Sequence, residues 1–136
     1  MTATRTEVDT AVARLVQWLE TGVAPAGLVT EDAFADLTFP QWRVQVQGGQ
    51  ELITARHDVH PQPGQVRVER VDRTERGFTV EFEERWVDAG QKWYCREQVR
   101  CDLRGDAIAE LSLYCTGDWD EARVAEHAAA VSLIRS

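Results

Sequence analysis

From Gly77 to Gly117 apolar and polar residues alternate with period two, the signature of half-buried strands. Two turn signals, Asp88-Ala89-Gly90-Gln91 and Arg104-Gly105-Asp106, cut this stretch into three strands. A two-residue turn at Ala89-Gly90 sets Glu84 opposite Cys95, Phe82 opposite Glu97, Val80 opposite Val99 and Phe78 opposite Cys101. Trp86 and Trp93 then close the hairpin on the same face. A three-residue turn at Arg104 to Asp106 sets Cys95 opposite Cys115, Glu97 opposite Leu113, Val99 opposite Leu111 and Cys101 opposite Ala109. Both registers gather one apolar face. The other face collects Glu81, Glu83, Arg85, Arg96, Gln98, Arg100, Glu110 and Ser112.

The remaining elements follow from period and punctuation. Val8, Val12, Leu15, Val16 and Leu19 recur at helical spacing. They predict a helix from Thr6 to Glu20, opened by a capping box at Thr6 to Asp9 and stopped by Gly22 and Pro25. Leu28 to Asp32 reads as a short helical piece. Ala33 to Phe39 reads as a strand ended by Pro40, and Trp42 to Val46 as a second short strand. Gln50 to Asp58 is a helix with Leu52 and Ile53 inward. Gln65 to Thr74 is a strand whose Val66, Val68 and Val71 change spacing, which predicts a bulge near Arg70. A last helix begins at Asp118 to Glu121, with Asp118 as cap and an apolar stripe of Ala122, Ala125, Ala129 and Leu133. The order is that of an α+β fold: one curved, mostly antiparallel sheet with helices on one face.

Two carboxylates interrupt the apolar face. Glu84 and Glu97 sit diagonally across a strand pair, roughly 7 Å apart. A carboxylate under packed helices is paired, neutral or at a wet pocket; the alternatives for either glutamate are an open rim or a pair with an arginine from elsewhere. Two acids this close in apolar surroundings are expected to have split protonation, which suits general acid/base work. Glu97 is expected to be the deeper, neutral acid and Glu84 the ionised base. His57 is the histidine expected to reach the pocket mouth. Trp42, Phe82, Trp86, Trp93, Cys95, Val99 and Cys115 are the expected substrate contacts. Asp36 falls on the first strand with its facing undecided.

Length and composition narrow this further. The 136 residues suit one domain, spanning 1–136. The net charge of −8 argues against nucleic acid, whose phosphates require a basic patch. No apolar run approaches the ~20 residues that span a bilayer, and the opening segment has no signal-peptide core, so a cytoplasmic protein without a membrane role is expected. The three cysteines are too few for a disulfide framework and are expected as free thiols. His57-Asp58-Val59-His60 has a spacing that metal ligands use, but it reads as a surface cluster at a helix end, and no metal is assigned. No cofactor is expected either.

Certain stretches carry a resemblance: the opening helix ending in Leu19-Glu20-Thr21-Gly22, the helix led by Gly48-Gly49-Gln50-Glu51-Leu52-Ile53, and the closing hairpin Gly105 to Leu111 ending at Tyr114. In this order the chain resembles the nuclear transport factor 2-like superfamily, and within it the SnoaL-like and ketosteroid-isomerase-like proteins. The resemblance implies a cone-shaped fold, a sheet wrapped around the opening helix with an apolar pocket between them. It also implies a small-molecule ligand or substrate and a homodimer through the outer sheet face. The activity it implies is cofactor-independent proton transfer of the isomerase, cyclase or dehydratase type; the alternative is a protein of this fold that only binds. The final strand, Leu111 to Cys115, lacks the acid of SnoaL-like cyclases. Arg100-Cys101-Asp102 supplies part of an epoxide-hydrolase Asp-Arg-Asp set, on the polar face.

Overall fold

The computed structural model describes residues 2–136. Helix α1 (Arg5–Thr21) is followed by strands β1 (Val29–Thr38) and β2 (Arg43–Gln47), then helix α2 (Gly49–Val59). Strands β3 (Gly64–Arg73), β4 (Gly77–Asp88), β5 (Gln91–Arg104) and β6 (Ala107–Cys115) come next, and helix α3 (Glu121–Ala130) closes the chain. The strands form one six-stranded sheet in the order β2-β1-β6-β5-β4-β3. Only the β1–β6 pair is parallel. Among the described residues no helix is long and apolar enough to cross a membrane.

The core lies between one sheet face and the two first helices. Val8, Ala11, Leu15, Trp18 and Leu19 form the buried stripe of α1. They meet Phe78, Val80 and Phe82 of β4, Val99 and Cys101 of β5, and Ile108 and Leu111 of β6. On β4 and β5 these residues are two positions apart, so one pleat parity carries them; on β6 the β5–β6 bulge turns both Ile108 and Leu111 inward. Leu52 of α2 adds to the same cluster.

The β4–β5 register agrees with the sequence reading at every predicted pair, including Glu84 with Cys95, Phe82 with Glu97 and Trp86 with Trp93. Ala89 and Gly90 both take positive φ in the two-residue turn, as the strand twist requires of such hairpins. The bulge in β3 falls between Val68 and Arg70.

The β5–β6 register differs by two residues from the expected one. The turn holds only Gly105 and Asp106, because Arg104 pairs with Ala107, and the ladder then bulges between Asp102 and Leu103. Glu97 therefore faces Cys115, Val99 faces Leu113 and Cys101 faces Leu111. A shift of two keeps Leu111, Leu113 and Cys115 on their predicted face, whereas past the bulge Ile108 takes the core position expected of Ala109. What changes is the neighbour of Cys115, which lies opposite Glu97 and diagonal to Cys95.

Other boundaries also moved. The capping box is at Thr4, which accepts from the Glu7 amide at 3.1 Å while Glu7 accepts from the Thr4 amide at 2.8 Å. Leu28 to Asp32 is not helical: Val29 onward belongs to β1, and the pairing of Val29 with Ile108 of β6 decides against weak local propensity. Asp120, not Asp118, caps α3, accepting from the Arg123 amide at 2.8 Å. That helix buries none of its side chains.

Candidate ligand site at the C-terminal ends of the first two helices

The pleat that buries Phe78, Val80 and Phe82 continues to Glu84 and Trp86 on β4, and to Cys95 and Glu97 on β5. Both acids point inward: Glu84 is 3% exposed and Glu97 7%. Above them α1 and α2 end. Arg56, in the last turn of α2, is three residues past Ile53 and four past Leu52, so it hangs from the helix face that packs on the sheet. A cation there also suits the negative end of the helix dipole.

Arg56 grips Glu84 with two bonds, Nη2 to Oε1 at 2.7 Å and Nη1 to Oε2 at 3.1 Å. A third contact joins Arg56 Nη2 to the Leu19 carbonyl at 3.4 Å. The fork fixes Glu84 in orientation as well as charge. Glu97 lies beside Glu84. Burial and the adjacent Glu84 carboxylate push Glu97 well above the usual carboxylate range. Burial also pushes Glu84 upward, but the neighbouring Glu97 and the Arg56 fork outweigh it and hold Glu84 below its ordinary value. The two acids are thus shifted in opposite directions.

Two thiols complete the floor. Cys95 Sγ lies 2.8 Å from Glu97 Oε1 and 3.9 Å from Glu84 Oε2. Cys115 stands beside it, its sulfur within 4.8 Å of the Cys95 sulfur. The Gly117 amide donates to Cys115 Sγ at 3.3 Å. The neighbouring Cys95 and that contact lower Cys115, while Cys115 and burial raise Cys95.

His60 stands at the side, its ring 4.2 Å from that of Trp86. Burial, then the positive charge of Arg56, lowers His60 to about 4, so its imidazole is neutral at pH 7. The unfolded chain takes up this proton below about 6.5, while the folded one resists until about 4. Stability therefore falls as pH drops through that window. Glu97 acts with the opposite sign, since its raised value makes stability fall as pH rises above the usual carboxylate range. His60→Gln isolates the first effect. Its urea midpoints at pH 4.5 and pH 7 should lie closer together than those of the unaltered chain, and an unchanged gap would refute the assignment.

The cluster holds three buried side-chain atoms with no hydrogen-bond partner in the protein: Arg56 Nε, His60 Nε2 and Glu97 Oε2. Around them Ile53, Trp93, Leu113 and Cys115 are only half-buried. A groove of about 1120 Å³ runs past Trp86 and Trp93 toward Tyr94, Trp119 and α3. A smaller depression of about 390 Å³ opens on the outer face between Glu81, Gln98 and Tyr114, and reaches Glu97 and Cys115 from behind.

Some expected site residues are elsewhere. His57 is exposed on α2, because one residue beyond Arg56 the helix has turned its side chain outward; His60 takes the inward place. Trp42 is 71% exposed in the β1–β2 turn. Phe82 and Val99 are sealed in the core at 1% and 2%, so they support the floor and do not line an opening. Cys95 is equally sealed but touches both acids. Asp36 turns to the outer face, where Arg43 holds it at 2.6 and 2.9 Å. Arg100 bonds Ser112 at 3.2 Å and Asp102 faces Arg76 at 4.0 Å, so no Asp-Arg-Asp set points inward there. The outer face carries the expected ion-pair ladder, with Glu83 accepting from Arg85 at 2.7 Å and from Tyr94 at 3.0 Å.

No protein-family profile matches the chain, and no curated protein matches its sequence. Solved structures do match in fold. One is a nuclear transport factor 2-like protein from Anabaena variabilis, 22% identical, with a TM-score of 0.67 over 87% of this chain and 96% of that one. Another is a hypothetical protein of ketosteroid isomerase-like fold from Catenulispora acidiphila, in complex with trimethylamine. It is 15% identical, with a TM-score of 0.63 over 78% and 85%. A third is an epoxide hydrolase of the LEH-like kind from M. tuberculosis, 13% identical, with a TM-score of 0.63 over 84% and 81%. Helix order, sheet order and these superpositions agree: the chain has the nuclear transport factor 2-like fold.

Proposed function

We propose that the chain binds a small, mostly apolar molecule at the C-terminal ends of α1 and α2, with the polar end of that molecule turned to Arg56, His60 and Glu97. One observation carries this reading: Arg56 Nε, His60 Nε2 and Glu97 Oε2 are buried together without partners in the protein. Orphaned polar groups of this kind each cost about 1–3 kcal/mol, and buried ion pairs are often replaceable by apolar residues without loss. A core selected for packing alone has no use for this arrangement. The trimethylamine complex of the Catenulispora protein supports a small guest for this fold. The reading extends to a homodimer, for which Val87 and Tyr114 offer exposed apolar surface on the outer sheet face, and to a reducing compartment, which suits the three free thiols.

A panel of small apolar carbonyl compounds and alcohols, followed by nuclear magnetic resonance, tests the binding. A true ligand shifts the Arg56 Nε–H and His60 ring signals, and Glu97→Gln weakens it roughly ten- to hundred-fold. Shifts confined to α3 and the outer groove would overturn the reading.

A second reading is catalytic proton transfer of the isomerase, cyclase or dehydratase type. The juxtaposition of Glu84 and Glu97 favours it, because an acid whose ionisation is opposed by an adjacent fixed carboxylate has a proton to lend to a bound carbonyl or hydroxyl. The clamp on Glu84 alters the assignment of roles. With both oxygens held by Arg56, Glu84 acts as the electrostatic partner of Glu97, and the neutral His60 is the group free to accept a proton. Under this reading Glu97→Gln lowers kcat by ~10²–10⁴-fold with KM nearly unchanged. Binding without turnover of any ligand in the panel would leave the first reading alone.

A further inference from the structure

We propose that Cys95, Glu97 and Cys115 form a binding site for a thiophilic divalent cation, with Zn²⁺ as the natural occupant. Two strands set out the three side chains. Cys95 and Glu97 are two apart on β5, hence on one face, and Cys115 is the direct partner of Glu97 on β6. One ligand atom from each, two sulfurs and one oxygen, lie within 4.8 Å of one another. Tetrahedral zinc holds such atoms about 3.5–3.8 Å apart, given Zn–S and Zn–O bonds of about 2.3 and 2.0–2.2 Å. The Cys95 sulfur and Glu97 Oε1, 2.8 Å apart, separate by roughly 1 Å to take such an ion between them.

Two independent features point to a cation. Glu97 Oε2 is fully buried and has no partner in the protein, while its Oε1 already meets the Cys95 sulfur. The Gly117 amide is aimed at the Cys115 sulfur, a contact that stabilises a thiolate and fixes its direction. Arg56 is the nearby positive charge, and its two-pronged bond to Glu84 leaves that pair neutral as a unit. Three anionic ligands then oversatisfy a divalent ion. Glu84 Oε2 is 3.9 Å from Cys95 Sγ but is held by Arg56, so the fourth coordination position stays open.

Binding forms two metal–sulfur bonds and one metal–oxygen bond. It releases to solvent whatever protons the two thiols and the Glu97 carboxyl carry, three at most. The ion and a proton on Glu97 are therefore alternatives, and affinity falls as pH falls. The site goes beyond the small-molecule reading and does not rest on it, since Arg56 Nε and His60 Nε2 remain free in either state.

The test is a Co²⁺ titration of the full chain after treatment with a chelator and a reductant. The expected result is a 1:1 complex with a near-ultraviolet sulfur-to-cobalt band of two thiolates' intensity and the visible bands of a tetrahedral ion, all abolished by one equivalent of Zn²⁺. Cys115→Ser should cut the band by about half and weaken the apparent affinity at least ~10-fold, while Cys101→Ala, outside the site, should leave both unchanged. Absence of the thiolate band in the unaltered chain overturns the proposal even if Cys115→Ser fails to fold. So does binding that survives Cys115→Ser but is lost in His57→Ala, which would place the ion on the exposed end of α2. Small-molecule binding measured with and without chelator keeps the two claims separate: loss of ligand binding alone speaks against the first, loss of the cobalt spectrum alone against the second.

Discussion

Arg56→Met should lose about 3–5 kcal/mol of stability, the cost of leaving one partner of a buried ion pair without the other. Glu84 is 3% exposed at its side chain and Arg56 16%, so water does not replace the missing guanidinium. Glu84 then has two ways out, and both reduce stability at neutral pH. It keeps its charge in apolar surroundings, or it takes a proton that the unfolded chain would not hold. The double variant Arg56→Met with Glu84→Leu should recover most of the loss, because the pair removed together leaves no unpaired charge. Denaturant titration of both variants and the unaltered chain measures the difference. In thermal terms the single variant should melt about 10 °C or more lower. The sign of the pH effect is also fixed. Glu84 is held below its ordinary value in the folded chain, so its contribution is present above the unfolded value and fades as pH falls. The deficit of Arg56→Met should therefore shrink toward pH 4. A single variant as stable as the unaltered chain at pH 7 would mean that the carboxylate is neutral or wet, and the cluster as described would not exist.

Phe82→Ala should cost a similar amount, about 3–5 kcal/mol, for a different reason. Phe82 is 1% exposed and faces Glu97 across the β4–β5 ladder, packed in the cluster with Leu15 and Trp18. Truncation removes most of a large side chain from a region where both neighbouring strands are fixed by their ladders, so the hole cannot close. The effect should be independent of pH between 5 and 8. Its hallmark against a ligand-contact role is that the loss appears as stability, with ligand affinity per folded molecule little changed. A variant that folds normally but binds poorly would return Phe82 to the pocket wall.

How far the sequence carried the reading is clearest at particular residues. The inward facing of Glu84 and Glu97 was legible because strand parity depends only on alternation, and a long alternating run tolerates errors in the turn. The same tolerance hid the β5–β6 shift. A two-residue turn with a bulge and a three-residue turn preserve the same faces from Leu111 to Cys115 and differ in the cross-strand partners of Glu97, Val99 and Cys101. The sequence allows an arginine partner for either glutamate without naming it; counted from Leu52 and Ile53, Arg56 lies on the inward side of α2 and is that partner. His60 lies past the helix end, where periodicity gives no direction, so the sequence points to His57 instead. Trp42 is expected at a pocket wall or rim, and the β1–β2 turn leaves it in solvent. Leu28 to Asp32 has a weak pattern, and strand begins at Val29, which pairs with Ile108 of β6, about eighty residues away along the chain.

The pinned state of Glu84 has a consequence for the chemistry open to this fold. Two nearby acids with split protonation invite a simple division into acid and base. The guanidinium clamp holds Glu84 below its ordinary value, and beside it Arg56 Nε, His60 Nε2 and Glu97 Oε2 are buried without partners in the protein. Acid/base activity, a bound cation and simple binding thus compete for the same few atoms, and each predicts a different occupant beside Glu97.

A crystal structure at neutral pH, refined with and without chelator in the drop, tests the central claim most directly. The account predicts Glu84 and Glu97 beneath α1 and α2, Arg56 forked onto Glu84, and density for a guest, water or ligand, within hydrogen-bond distance of Arg56 Nε and His60 Nε2. Side chains of Glu84 and Glu97 turned to bulk solvent, or a dry apolar seal over all three orphaned atoms, would contradict it.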